Sequence, residues 1–260
     1  MPKRWLTLPL LTLDLKFPED RVAWADCDYW TIGRRFFFES GNDLEKLLWR
    51  ARCMNAILSA GLGLVVYAWS RQLFGAGGGM ISLLAYSMSP TILANASLAT
   101  SDMAAAAFFT VAIGGLWKMF HKLSPGSVVG CWLALSGLFL AKMSAILIIP
   151  MGVALLAIRL IGRRPLTVGW RGGVAVERRW AQAAVLLGTM LLQAALVLAT
   201  IWAAYGFRYS AFHVPIAANE DFYQRWNETV NKNGAFGQAL KFARDHRLLP
   251  EAYLVGAVSA

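Results

Sequence analysis

Charge is scarce in this sequence: only 15% of its 260 residues are Asp, Glu, Lys or Arg, where a soluble domain carries about 25%. Acid is scarcer still, with 15 Asp and Glu against 25 Lys and Arg. A chain so poor in charge and 57% apolar is neither disordered nor collagen-like, and it lies well outside the range of an ordinary soluble enzyme. Cysteine is sparse as well. Cys27, Cys53 and Cys131 are an odd number without metal-ligand spacing, which implies neither a disulfide framework nor a zinc site. The motifs of soluble chemistry are missing too: there is no P-loop, no Gly-x-Ser-x-Gly elbow and no His-Glu-x-x-His pair.

What is present is apolar sequence, with a mean hydropathy of +0.49 that points into the membrane. Lys3 and Arg4 precede a run from Trp5 to Leu13 that mimics a signal peptide. Pro9 interrupts it, Asp14 ends it and no small-residue cleavage site follows. The run is too short to span, since a crossing needs about 20 residues, so it reads as interfacial or packed on protein. Asn42 followed by Glu45 resembles a capping box, and Leu44, Leu47, Leu48 and Ala51 then share one helix face. These predict a short amphipathic helix on the membrane surface that runs into the first span.

Six apolar segments follow, near Cys53–Trp69, Met80–Ala96, Met103–Trp117, Ser127–Ala141, Ser144–Ile161 and Gln182–Tyr205. The second contains Pro90, a break tolerated where other helices cover the freed backbone groups. The expected fold is an all-α polytopic transmembrane bundle with about six spans and an amphipathic interfacial helix. Residues 1–52 and 206–260 flank the bundle at 53–205.

Charge placement sets the sidedness. The spacers at 70–79, 118–126 and 162–181, with the flanking Arg159, carry nine basic residues: Arg71, Lys118, Lys122, Arg159, Arg163, Arg164, Arg171, Arg178 and Arg179. Against them stands only Glu177, so this face is cytoplasmic and both termini are extracytoplasmic, in the cell membrane. The excess of cations thus answers to the bilayer, and nucleic acid is excluded as its partner.

Ionisable residues at the outer face are few, which makes each informative. Asp102, in "NASLATSDMAAAAFF", either caps the third span or offers a carboxylate that orients an acceptor or a metal. Lys142, in "LFLAKMSAILIIP", either snorkels to the interface or awaits a phosphate in a partly buried cavity. Arg50 reads as an interface anchor, while Arg52 could also meet an anionic headgroup. Trp24, Tyr29, Trp30 and Phe36 to Phe38 suggest an aromatic belt, and His213 reads as structural. Asp26 and Asp28 have the spacing of a weak metal pair, and Asn95–Ser97 and Asn227–Thr229 match the glycosylation pattern.

Longer stretches resemble a known group. The segment "NDLEKLLWRARCMNAILSAGLGLVVYAWSRQLFG" is similar to the start of the second helix of GT-C, family 39-like, polyprenyl-phosphate-dependent glycosyltransferases related to protein O-mannosyltransferases. Arg52 matches their arginine before that helix, and Ser70 to Gly75 match the loop after it. Ser89, Pro90, Ala94, Thr100 and Asp102 resemble the family's S-P-x-x-x-A-x-x-x-x-x-T-x-D pattern, with Ser101 where a second threonine is more usual. Gly137, Lys142, Ser144 and Pro150 resemble its G-x-x-x-x-K-x-S-x-x-x-x-x-P helix pair, and "YGFRYS" and "LLPEAYLVG" its central outer region. The resemblance runs from about Trp30 to the C-terminus.

It implies transfer of a sugar from a polyprenyl-phosphate carrier to an acceptor hydroxyl on the extracytoplasmic side. Asp102 would then be a supporting acid, with Arg52 and Lys142 as phosphate ligands and no metal residue assigned. The donor is a lipid-linked sugar and no cofactor is expected; a divalent metal and the oligomeric state stay open. The family's principal Asp-Glu motif, after its first helix, has no counterpart here, so the chain is expected to be an internal fragment that is inactive alone. The competing readings are a non-catalytic membrane binding or assembly subunit and, last, a transporter, against which the spans show no inverted repeat.

Overall fold

The computed structural model describes residues 2–19, 23, 28–162, 164–169, 173–210 and 234–258. The described chain is mostly helical, and it divides into two compact units, Met1–Ala107 and Phe108–Ala260. Four of its helices are long and apolar enough to cross a membrane: Leu44–Ser87, Asp102–His121, Met143–Ile161 and Arg179–Ala204. Trp24, Asp26, Cys27, Arg163, Arg171, His213 and residues 227–229 lie outside the described residues.

In the first unit, α1 (Pro2–Thr7) and a 3-10 turn at Leu8–Thr12 pack against the start of α3 (Leu44–Ser87). Trp5 Nε1 donates to Met54 O at 3.1 Å, and Arg50 Nη1 to Pro9 O at 2.8 Å and Thr12 Oγ1 at 2.7 Å. The N-terminal apolar run is therefore packed on protein, and Arg50 ties it down. Helix α2 (Tyr29–Arg34) runs into a π-helical turn at Arg35–Glu39. Asp43, rather than Asn42, caps α3 by accepting from Lys46 N at 3.0 Å. The Asn42 amide is already engaged with Lys16 and Phe36 backbone groups, which removes it from the capping role.

The largest departure from the expected six separate segments is α3 itself. The surface helix runs into the first span as expected, but the chain then stays helical to Ser87 except at Gly75, where φ is 77° and ψ is −176°. That conformation is open to glycine and strained for other residues. The arms fold back on one another around it. Ser59 and Tyr86 share a hydrogen bond at 3.0 Å, Tyr86 Oη donates to Ser59 O at 2.8 Å, and Ser70 bonds Ser82 at 2.7 Å. Gly63 lets the Tyr86 ring approach so closely that a Cβ there would lie 3.1 Å from it. Small residues and hydroxyl bonds of this kind hold apolar helices together where no water drives the contact.

The second expected span, Met80–Ala96, is also broken. Pro90 disfavours helix at Ser89, whose φ and ψ are −69° and 118°, and opens a new helix, α4 (Pro90–Ala96). Helix α5 (Asp102–His121) packs Met103 and Ala107 against Leu62 of α3.

The second unit contains the rest of α5, α6 (Pro125–Ala141), a 3-10 turn at Met143–Leu147, α7 (Ile148–Ile161), α8 (Arg179–Ala204), α9 (Gly234–Asp245) and α10 (Glu251–Val258). Ser124 and Ser127 form a reciprocal capping box at the start of α6. Ala112, Met119, Cys131, Leu138 and Leu186 form the buried centre. The all-helical expectation missed a three-stranded sheet of β1 (Lys122–Leu123), β2 (Leu166–Val168) and β3 (Val174–Val176). Strand β1 pairs parallel with β2, and β2 antiparallel with β3.

Candidate functional site

The site residues expected from the sequence divide between the units. Arg52 and Asp102 belong to the first, Lys142 to the second. Asp102 is the first residue of α5 and is half-buried. The link that delivers it is fixed by Asn55, which is 0% exposed on α3. Asn55 Nδ2 donates to Asn95 O at 2.9 Å and to Leu98 O at 2.6 Å. Arg52 lies one turn before Asn55 and is exposed, beside a shallow groove lined by Asp43, Lys46 and Trp49. The end of α3 that carries Arg52 is therefore the end at which α5 begins with Asp102.

Two buried oxygens here, Asn55 Oδ1 and Thr100 Oγ1, have no hydrogen-bond partner among the described residues. Asn55 was not singled out in the sequence, although an amide inside an apolar stretch is the signal that could have found it. Asn95 lies within α4, its amide donating to Thr91 O at 2.9 Å.

Lys142 occupies the break between α6 and the following 3-10 turn, with extended backbone at φ −154° and ψ 145°. Its N–H donates to Leu138 O at 3.2 Å, and its carbonyl accepts from Ala145 N at 3.1 Å. The residue is exposed, not lodged in a partly buried cavity. Such a cavity exists close by in sequence: about 400 Å³, almost wholly apolar, it is lined by Met143, Ile148, Gly152, Met190, Val197 and Tyr253 among others.

The segments 205–210 and 248–256 meet in this unit. Tyr209 accepts from Glu251 N at 2.9 Å through its carbonyl and donates through its hydroxyl to Arg244 O at 3.0 Å. Tyr253 Oη donates to Phe139 O at 3.0 Å, and Trp202 Nε1 to Leu248 O at 3.0 Å. Burial pushes the Tyr253 phenol up to about 12 and the Tyr209 phenol above its ordinary value. Both stay neutral donors at physiological pH.

No family model, curated protein or solved structure matches this chain. The site has to be read from its own chemistry. Among the described residues, no group of three or more His, Cys, Asp or Glu side chains could hold a metal ion. Asp28, half of the suggested metal pair, caps α2, accepting from Thr31 N at 3.1 Å and Thr31 Oγ1 at 2.6 Å. The hydroxyl bond, followed by the backbone bond, holds its carboxyl below the usual value. Trp30 and Phe38 are exposed, as a belt at an interface requires, while Phe36 packs its ring 5.2 Å from Phe17.

Proposed function

We propose that this chain is the membrane-embedded part of a transferase that moves a sugar from a polyprenyl-phosphate carrier to an acceptor hydroxyl at the extracytoplasmic face. The observation that carries the reading is the Asn55 clamp, which brings the start of α5, with Asp102, to the end of α3 that bears Arg52. In the transfer, the acceptor oxygen attacks the anomeric carbon and the carbon–oxygen bond to phosphate breaks. The phosphate keeps the electron pair, and the hydroxyl proton leaves to a carboxylate. Asp102 orients the acceptor, and Arg52, in the same unit, neutralises the departing phosphate. The apolar cavity of the second unit separately supports a lipid as substrate, since its surface is almost wholly apolar.

Six crossings with both termini outside complete the proposal. Three returns of the chain support it. Residues before the Gly75 bend and residues after α4 meet at Asn55. Strand β1 before α6 and strand β2 after α7 lie in one sheet. The segment after α8 meets the end of α6 through Tyr253 and Phe139. Each paired excursion thus ends at the side where it began.

Retention of radiolabelled polyprenyl phosphate by the purified chain tests the proposal. Arg52→Ala is expected to weaken retention by roughly 10- to 100-fold, the worth of one charge-assisted hydrogen bond. Asp102→Asn is expected to leave retention unchanged. Equal retention by all the variants would favour the assembly-subunit reading and end this one.

A further inference from the structure

The second unit carries a surface that the proposed transfer does not use. Its sheet is small, yet buried polar side chains from two helices hold it in place. Arg159, 5% exposed on α7, donates through Nε to Phe120 O at 2.8 Å, through Nη1 to Arg164 O at 2.9 Å and through Nη2 to Pro165 O at 3.1 Å. Gln182, buried on α8, donates through Nε2 to Val176 O at 2.7 Å and to Arg164 O at 3.2 Å. Leu166 is fully buried beneath the sheet. Burying a guanidinium is costly, so placing one here fixes the course of this backbone at a real expense in desolvation.

That fixed backbone presents cations. Lys122 on β1, Arg164 just before β2, and Arg178 and Arg179 just after β3 are all exposed. Lys118 lies one turn before Lys122 on α5 and is exposed as well. Exposed apolar groups adjoin them along the chain: Trp180, next to Arg179, at 70%, and Trp117, next to Lys118, whose ring lies 4.2 Å from that of His121 between centroids. Glu177 is the one acid on this stretch of the described residues.

Cations on a loose loop remain solvated, whereas cations on pinned strands lose little further freedom when a ligand arrives. The partner must be anionic and must present phosphate beside apolar surface, because indole side chains adjoin the charges. A phospholipid headgroup layer has that composition: its phosphates meet Lys and Arg, and Trp side chains favour the headgroup depth. We infer that the sheet face of the second unit is a rigid docking plate for anionic phospholipid headgroups of the adjoining leaflet. The inference is independent of the transfer reading and stands or falls separately from it.

Binding of fluorescent phosphatidylglycerol to the full chain in detergent, with phosphatidylcholine as the reference lipid, tests it. Wild type is expected to prefer phosphatidylglycerol. The triple variant Lys122→Gln/Arg164→Gln/Arg179→Gln is expected to lose roughly tenfold or more of that preference, given about fivefold for each cation at an anionic surface. A matched control, Lys16→Gln/Lys46→Gln/Lys241→Gln, removes three exposed cations from other elements and is expected to keep the preference. A preference that survives in the triple variant, or that falls equally in the control, would overturn the plate. So would displacement of the lipid by millimolar inorganic phosphate, or stronger binding of an acidic polypeptide, which would assign the surface to a soluble anion.

Discussion

Both N–H groups of the buried Asn55 amide are taken by backbone carbonyls, those of Asn95 and Leu98. An amide offers two donors in one plane, and no apolar side chain of similar size can replace them. Asn55→Leu therefore leaves two carbonyls short of a donor in a buried setting. The expected loss is about 1–3 kcal/mol, read as a lower melting temperature of the purified protein in detergent. Asn55→Asp should fare worse, because an ionised carboxylate turns acceptors toward acceptors. A melting temperature equal to wild type for both variants would show that the clamp holds nothing. The sequence makes the polarity of position 55 visible but not its partners, which lie about forty residues on. Capping of α3 shows the same limit at shorter range: Asn42 and Asp43 are both good caps by type, and only the engagement of Asn42 with Lys16 and Phe36 decides between them.

At the scale of elements, periodicity and capping rules located α6, α7 and α8 to within a few residues, because each is a single apolar helix bounded by proline, serine or charge. They failed where a helix is interrupted without losing its apolar pattern. The "GAGGG" run reads as a spacer, yet it is helical except at Gly75. One residue at φ 77° reverses the chain, and the flanking glycines simply continue the helix. Gly75→Ala places a Cβ in a backbone region reserved for glycine and is expected to cost about 1–3 kcal/mol. Gly77 has ordinary helical geometry and open space around it, so Gly77→Ala should be neutral or stabilising by up to about 1 kcal/mol. Thermal unfolding of the two single variants separates these outcomes. Equal melting temperatures would remove Gly75 from its role as the bend. The sheet escaped notice for a different reason: its strands are two or three residues long, too short for alternation to register.

For the whole molecule, the sequence expectation of six crossings meets four helices that qualify by length and apolarity. The proposed six crossings count the two arms of α3 separately and add the shorter α6. Helix α3 returns on itself at Gly75, so its two ends cannot lie on opposite faces as those of a single straight crossing would. Helix α6 is 17 residues, near the lower limit for a span, yet the pairing of Lys122 with Thr167 requires residues 125–161 to leave and come back. The proposed six crossings take α6 and α7 as one out-and-back pair, with which this pairing agrees. In the same proposal the basic sheet face lies on the cytoplasmic side. Thiol labelling of single-cysteine variants in intact cells, with the native cysteines replaced, tests the arrangement. Lys46→Cys and Lys142→Cys are expected to react with an impermeant reagent from outside. Lys122→Cys and Arg179→Cys are expected to react only after permeabilisation. Labelling of positions 122 and 179 from opposite faces would contradict the sheet itself. Labelling of 46 and 122 from the same face would leave α3 and α5 making an even number of crossings together, and six crossings could not stand.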